Sequence, residues 1–162
     1  MAGMFEVTEL VKVGVEDERT GVAFYMAASE RSREEGLKRV FADLAEQERF
    51  HEKRFKKLLS DLGDYKSPER YGGEYASYLE ALTTSRAFPT QEAALDAVGK
   101  TADDLSLVKM ASRFERDTLV LMGEMRKLVR EQDRTIIDQL IAEEQGHLVT
   151  LSVAKDKLET GN

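Results

Sequence analysis

The sequence predicts an all-α protein built as a bundle of four long helices. Only two of its 162 residues are proline, none is tryptophan, and long stretches consist of Ala, Leu, Glu, Lys and Arg, which favour helices. Apolar residues also recur in alternating steps of three and four, as on the buried face of a helix. This length suits one domain with its own core, so we expect residues 1–162 to form a single domain.

The first helix is expected over residues 8–33 and the second over residues 37–62. Thr8 is a plausible N-cap for the first, and Gly36 follows a polar stretch and can end it. Gly63 ends the second. The buried stripe of the second helix includes two polar residues among apolar ones: Phe41, Leu44, Glu48, His51, Phe55, Leu58 and Leu62. A glutamate and a histidine therefore occupy core positions.

Residues 63–100 are too long for a hairpin turn. They contain Pro68, Gly72, Gly73 and Pro89, and short helices are expected at about 75–85 and 92–98. A crossover of this length lets the second and third long helices run parallel, as in ferritin-like bundles.

The third and fourth long helices are expected over residues 101–131 and 133–158. Thr101 can cap the third, with Asp104 near the positive end of its dipole. One stripe of the third helix holds Val108, Ala111, Glu115, Thr118, Met122 and Val129. The stripe of the fourth repeats the pattern of the second: Ile137, Leu140, Glu144, His147, Leu151, Ala154 and Leu158.

The two halves of the chain resemble each other. Residues 18–25 align with 115–122, and residues 44–51 align with 140–147. The chain therefore looks like a duplicated helix pair. A pseudo-twofold axis would place Glu18 and Glu115 in matching positions.

Two Glu-x-x-His pairs, Glu48 with His51 and Glu144 with His147, contain the only histidines of the chain. Residues three apart on a helix project from one face and can reach the same metal ion. Two such pairs in one bundle predict a carboxylate-bridged two-metal site. Each metal would take one terminal glutamate, Glu18 or Glu115, and one histidine, while Glu48 and Glu144 bridge. Buried carboxylates need such counter-charges, so metal binding and folding should be linked.

Composition excludes several other classes. The net charge, 24 minus 31 or −7, has no basic block, so neither nucleic acid nor an anionic membrane is an expected partner. The absence of cysteine excludes disulfides, thiolate metal sites and thiol catalysis. No apolar run of membrane-spanning length and no signal-peptide pattern is present, so a cytoplasmic location is expected.

Other polar residues have less specific interpretations. Tyr25 lies on the stripe of Glu18, where it could contact a ligand or donate an electron, although a core tyrosine with a satisfied hydroxyl is the alternative. Glu46, Glu52 and Glu143 flank the motifs and are expected to be solvated surface charges.

Four segments together carry a resemblance to a known family: Glu18 with Gly21 and Phe24-Tyr25, residues 44–51, residues 114–117 and residues 142–147. Over nearly its whole length the chain resembles the rubrerythrin branch of the ferritin-like superfamily. The resemblance implies a di-iron centre that an electron-transfer partner reduces and hydrogen peroxide oxidises; in relatives dioxygen is the oxidant and ferrous iron the substrate. It also implies the metal ligands Glu18, Glu48, His51, Glu115, Glu144 and His147.

The chain departs from that family's pattern at two points. The best-known rubrerythrins carry a rubredoxin-like domain with four cysteines; none occurs here, so a separate protein would supply the electrons. They also have a further glutamate where this chain has Thr118, which implies a more symmetric site and argues against efficient peroxide reduction.

The expected function is therefore a two-iron oxidoreductase that reduces hydrogen peroxide or dioxygen. A ferroxidase, or a non-catalytic module holding zinc or manganese, remains an alternative. A homodimer is expected, because the crossover could exchange helix pairs between subunits.

Overall fold

The computed structural model describes residues 6–67 and 73–161, which form six α-helices and one 3-10 turn at Glu131–Asp133. The helices are α1 (Val7–Arg31), α2 (Glu35–Leu62), α3 (Glu74–Thr84), α4 (Gln91–Lys100), α5 (Asp104–Leu128) and α6 (Arg134–Thr160). No strand occurs within these ranges, which confirms the all-α class. Pro68, Tyr71 and Gly72 of the predicted crossover lie outside the described residues.

The first two helices are capped by glutamates. Glu6, rather than Thr8, is the N-cap of α1, and its carboxylate and that of Glu9 each accept a hydrogen bond from the other's backbone. Glu34 caps α2 by accepting from the backbone N–H groups of Gly36 and Leu37. Gly36 therefore belongs to the first turn of α2 and does not end α1, because the carboxylate beside it satisfies the free N–H groups of that turn.

The N-cap of α5 is Asp103, whose carboxylate accepts from the Ser106 N–H at 2.7 Å. Thr101, the expected cap, instead donates its hydroxyl to the Ala97 carbonyl at the end of α4. Asp104 holds the turn between α1 and α2, accepting from the Glu34 N–H at 2.9 Å. The start of α5 therefore lies where α2 begins, so α5 runs parallel to α2.

The crossover is anchored to the bundle on the side of α1. The Arg86 guanidinium forms an ion pair with Asp17, which is almost fully buried. Phe88 stacks on Phe24 with ring centroids 5.1 Å apart, and α4 packs against α1. These contacts close the bundle next to Glu18, the neighbour of Asp17 in the chain.

The apolar core is divided into two clusters. One contains Leu10, Phe55, Leu58, Met125, Ile137 and their neighbours. The other contains Phe24, Tyr25, Phe41, Ala111, Leu151 and their neighbours. The stripes of α1, α2, α5 and α6 pass between the clusters, and their buried polar residues lie there.

Among the described residues, no helix combines the length and the apolar character that a membrane span needs.

Candidate metal centre

The structure brings the predicted site residues together at mid-height of the bundle. Glu18 comes from α1, Glu115 from α5, and the two Glu-x-x-His pairs from α2 and α6. Each of the six residues is at most 2% exposed. The spacing within each helix accounts for this placement, because every one of them stands where the apolar stripe requires a core residue.

The six residues form two groups of possible metal donors within the described part of the chain. One group contains Glu18, Glu48, His51 and Glu144, and the other contains Glu48, Glu115, Glu144 and His147. The donor atoms of each group all lie within 4.8 Å of one another. Glu48 and Glu144 belong to both groups, while each group has its own histidine and its own further glutamate.

The shared carboxylates reach both histidines. Oε1 of Glu144 lies 2.6 Å from Nδ1 of His51, and its Oε2 lies 2.7 Å from Nδ1 of His147. Glu48 likewise turns Oε2 to His51 Nδ1 at 3.6 Å and Oε1 to His147 Nδ1 at 3.1 Å. Each shared carboxylate thus offers one oxygen to each group, which is the geometry a bridging carboxylate needs.

The unshared glutamates lie one on each side. Oε2 of Glu18 is 3.6 Å from Nδ1 of His51, and Oε1 of Glu115 is 3.4 Å from Nδ1 of His147. The arrangement therefore follows the internal duplication, with Glu18 and Glu115 in matching positions.

Unpaired polar atoms test whether the site suits cations. Within residues 6–67 and 73–161, eight buried atoms of the donor set have no hydrogen-bond partner outside that set: both oxygens of Glu18 and of Glu144, Oε1 of Glu48, Oε2 of Glu115, and Nδ1 of each histidine. Four buried carboxylates so close together are costly in a protein interior unless positive charge lies among them. Two divalent cations would satisfy these atoms, and oxygen and imidazole donors suit iron, manganese or zinc. The residues fit a two-metal centre.

The electrostatics also favour added positive charge. Burial, together with the nearby Glu48 and Glu144, raises the pKa of Glu18 well above 4.5. Burial raises the pKa of Glu115 in the same way, again with Glu144 and Glu48 contributing. Burial opposes protonation of His147, but hydrogen bonds to Glu115, Glu144 and Glu48 outweigh it and raise the pKa to about 12. For Glu48 burial also raises the pKa, but hydrogen bonds to Glu18 and both histidines outweigh it and lower the pKa below 4.5. Glu18, Glu115 and the histidines therefore hold protons strongly, and metal cations would compete for the same positions.

The outer nitrogens of both histidines contact side chains of the opposite helix. Nε2 of His51 lies 2.8 Å from Oε2 of Glu143, and Nε2 of His147 lies 3.1 Å from Oε1 of Gln47. When Nε2 carries the proton and donates it in this contact, the lone pair of Nδ1 is left free to bind a metal beside the other ligands. Arg54 also bonds Glu143, with both contacts at 2.8 Å.

The contact of Glu143 with His51 corrects the sequence interpretation, in which Glu143 was a solvated surface charge. Its side chain is 45% exposed, but one oxygen reaches across the groove between α6 and α2 to a buried imidazole. Glu46 pairs with Arg49, and Glu52 pairs with Arg19 and Lys56. The sequence did hold a signal for the missed contacts: Gln47 and Glu143 stand at equivalent positions of the duplication, each directly before a core glutamate.

Two further buried hydroxyls lie on the stripes of the site. Tyr25 is fully buried and donates its hydroxyl to Oε1 of Glu115. Thr118 lies one turn after Glu115 on α5, is 3% exposed, and its hydroxyl has no partner. By contrast, Ser112 on the same helix bonds its i−4 carbonyl, that of Val108.

Comparison with known proteins agrees with this fold. The family model for rubrerythrin matches residues 9–155. A solved structure from Thermotoga maritima, assigned as a ferritin-like diiron-carboxylate protein, is similar with a TM-score of 0.74 at 23% identity, covering 95% of this chain and 97% of that one. A hypothetical protein from Pyrococcus furiosus has a TM-score of 0.69 at 22% identity, covering 98% of this chain and 93% of that one. No curated protein matches the chain significantly.

Proposed function

The chain belongs to the rubrerythrin family, and from that premise we propose that it is a two-iron oxidoreductase that reduces hydrogen peroxide or dioxygen. The observation that carries this proposal is the pair of donor groups that share Glu48 and Glu144. Two groups with common carboxylates suit two metals held close together, and two ferrous ions that give one electron each together supply a two-electron reduction.

Each protein ligand has a role in this proposal. Glu18 and His51 would hold one metal, and Glu115 and His147 would hold the other. Glu48 and Glu144 would serve both, since each turns one oxygen toward each histidine. The unpaired oxygens of this set support the assignment, because they have no other partner among the described residues.

When bound, a pair of ferrous ions supplies two electrons and Lewis acidity to the oxidant. Reduction of one hydrogen peroxide to two waters consumes two electrons and two protons. The two apolar clusters on either side of the site limit access of bulk water. Tyr25 keeps its proton on Oη, because burial and the neighbouring Glu115 raise its pKa well above 10. Its hydroxyl therefore orients Glu115 by donating to Oε1.

The electrons are proposed to come from a separate protein. The 162 residues contain no cysteine and so no thiolate iron site that could serve as an internal donor. Homodimerisation through the crossover belongs to the same proposal, and sedimentation of the metal-loaded protein tests it.

A peroxide titration tests the proposed activity. The protein is loaded with two ferrous ions per chain without oxygen and mixed with hydrogen peroxide, and oxidation is followed by absorbance. We expect both irons to oxidise within seconds, with one peroxide consumed per two irons. A matched sample of the Glu144→Ala variant, which lacks one shared carboxylate, should not show this stoichiometry. Iron that stays ferrous in the wild-type protein would rule the proposal out.

A ferroxidase is the second candidate, and Thr118 is the observation that favours it. Thr118 occupies the position where the peroxidase members of the family have an additional glutamate, and its hydroxyl has no partner here. Excess ferrous iron added with dioxygen separates the two functions. A ferroxidase turns over many irons per chain, whereas a peroxide reductase stops after its own two.

A further inference from the structure

The two halves of the metal centre differ in the contacts that surround them. His51 meets a carboxylate at its outer nitrogen, that of Glu143, whereas His147 meets the neutral amide oxygen of Gln47. The contacts are of similar length, 2.8 and 3.1 Å, so they differ mainly in the acceptor, which is a carboxylate shared with Arg54 at Glu143 and a neutral amide at Gln47.

The unshared glutamates differ in the same direction. Among the described residues, no group outside the donor set hydrogen-bonds Glu18, whose neighbours are Glu48 and His51 of the site itself. Oε1 of Glu115 accepts the hydroxyl of Tyr25, so only Oε2 of Glu115 is free. Residues 18–25 align with 115–122, which puts Met122 at the position of Tyr25 and leaves Glu18 without an equivalent donor.

Both differences act on the strength of the metal donors. A carboxylate that accepts the outer N–H of an imidazole increases electron density on the other nitrogen, and such partners change metal affinity by about 10–100-fold. An amide oxygen increases this electron density less than a carboxylate does. A hydroxyl that donates to a carboxylate draws charge away from it and makes it a weaker ligand. His51 is therefore the stronger histidine ligand, and Glu115 is the weaker terminal glutamate.

We propose that the two metal positions are unequal, with the position of Glu18 and His51 filling before that of Glu115 and His147. Glu143 and Gln47 are positioning residues that set this order by acting through the histidines. The inference rests on the proposed two-metal function and adds to it a fixed order of loading.

The chain offers a direct readout of this order because its only two histidines are the two in question. Histidine-selective ¹⁵N labelling therefore gives one set of imidazole signals for each metal position. Metal-free protein is titrated with zinc, which is diamagnetic, and the Nδ1 shifts are followed. The signals are assigned from the variants Glu143→Gln and Gln47→Glu, each of which perturbs the outer nitrogen of one histidine.

In the wild-type protein we expect the His51 signals to shift during the first equivalent of zinc and the His147 signals during the second. Glu143→Gln should lower the zinc affinity of the His51 position and so reduce the ratio of the two affinities by about tenfold. The double variant Gln47→Glu with Glu143→Gln should reverse the order. Tyr25→Phe should also reduce the ratio, by making Glu115 a stronger ligand and so raising the affinity of the His147 position. Glu46→Gln removes the same charge from a residue that contacts Arg49 and neither histidine, and it should leave the order unchanged.

The outcomes that overturn the inference are distinct from those that overturn the function. If both histidines shift together, if His147 shifts first, or if Glu143→Gln changes the ratio no more than Glu46→Gln does, the inference is wrong while two-metal binding stands. If neither histidine responds to zinc or to ferrous iron, the two-metal function and the inference are both wrong.

Discussion

The imidazole rings of His51 and His147 lie almost parallel, with centroids 5.3 Å apart and 14° between their planes. Both turn Nδ1 toward Glu144, which offers one oxygen to each. The two Nδ1 atoms and the two oxygens of Glu144 thus converge between the rings. Such an arrangement is stable only when positive charge lies among the carboxylates, either as protons or as metal ions.

Metal binding should therefore stabilise the fold. A ligand that binds only the folded state at a free concentration one hundred times its Kd adds about 2.7 kcal/mol to the free energy of unfolding. Thermal melts with a chelator and with ferrous iron or zinc measure this difference. Magnesium, which prefers oxygen ligands and retains its waters, serves as the control and should have little effect. Equal Tm values with chelator and with zinc would contradict the expectation.

The stability of the metal-free protein should fall as pH rises above 4.5, where Glu48, whose pKa is lowered, is ionised in both states and no longer changes the balance. Burial and neighbouring charges raise the pKa of Glu18 and Glu115 above 4.5, and burial raises that of Asp17 to about 7. A group with a raised pKa in the folded state stabilises fully below its unfolded value and loses that contribution as pH rises through its folded value. The histidines act with the same sign above 6.5, because their pKa values are raised as well.

Urea unfolding of the metal-free protein at a series of pH values checks this prediction. We expect the free energy of unfolding to decline between pH 4.5 and 7. Metal affinity should change in the opposite direction, since the ligands must lose their protons to bind. The gap in Tm between loaded and metal-free protein should therefore widen with pH, and a gap that narrows would contradict the argument.

Replacing Glu18 by leucine should separate stability from function. Both oxygens of Glu18 are buried without a hydrogen-bond partner outside the donor set, beside the like-charged Glu48 and Glu144, so Glu18→Leu should raise the free energy of unfolding of the metal-free protein by about 1–3 kcal/mol. The same change removes the terminal carboxylate of one donor group, and metal analysis should find one metal per chain instead of two. Glu30→Leu, at an exposed position of α1, is the matched control and should change neither quantity appreciably. Lower stability of metal-free Glu18→Leu would show that Glu18 has a partner of its own.

The polar residues on core stripes made the clustering of the six candidate ligands predictable from the sequence. Glu48, His51, Glu144 and His147 interrupt regular three-four patterns, and helical geometry alone determines which face they share. The outer contacts of Gln47 and Glu143 depend instead on how closely α2 and α6 approach, which no pattern within one helix specifies.

The helix starts were less predictable because neighbouring residues compete to cap them. Thr101 has the side chain of an N-cap, but it donates its hydroxyl to the carbonyl of Ala97, and the Asp103 carboxylate accepts from the Ser106 N–H of α5 instead. Thr8 similarly lies inside the first turn of α1, where Glu6 and Glu9 form the cap. Such choices depend on where the preceding chain leads, which is a tertiary property.

Close approach of α1 and α2 at Gly21 gives the last prediction. A Cβ placed on Gly21 would lie 3.1 Å from Cε1 of Phe114 and 3.2 Å from Cγ of Glu48. Gly21→Ala should therefore displace the shared carboxylate of Glu48, weaken zinc binding, and cost about 1–3 kcal/mol in core strain, partly offset by the better helix propensity of alanine.

Gly146→Ala is the matched control, because Gly146 lies between Glu144 and His147 in the chain and yet its Cβ would meet nothing within 4 Å. The control should bind zinc as the wild type does and be slightly more stable. Zinc titration and urea unfolding of both variants decide the matter: if Gly21→Ala behaves like Gly146→Ala, the spacing of α1 and α2 does not hold Glu48 in place.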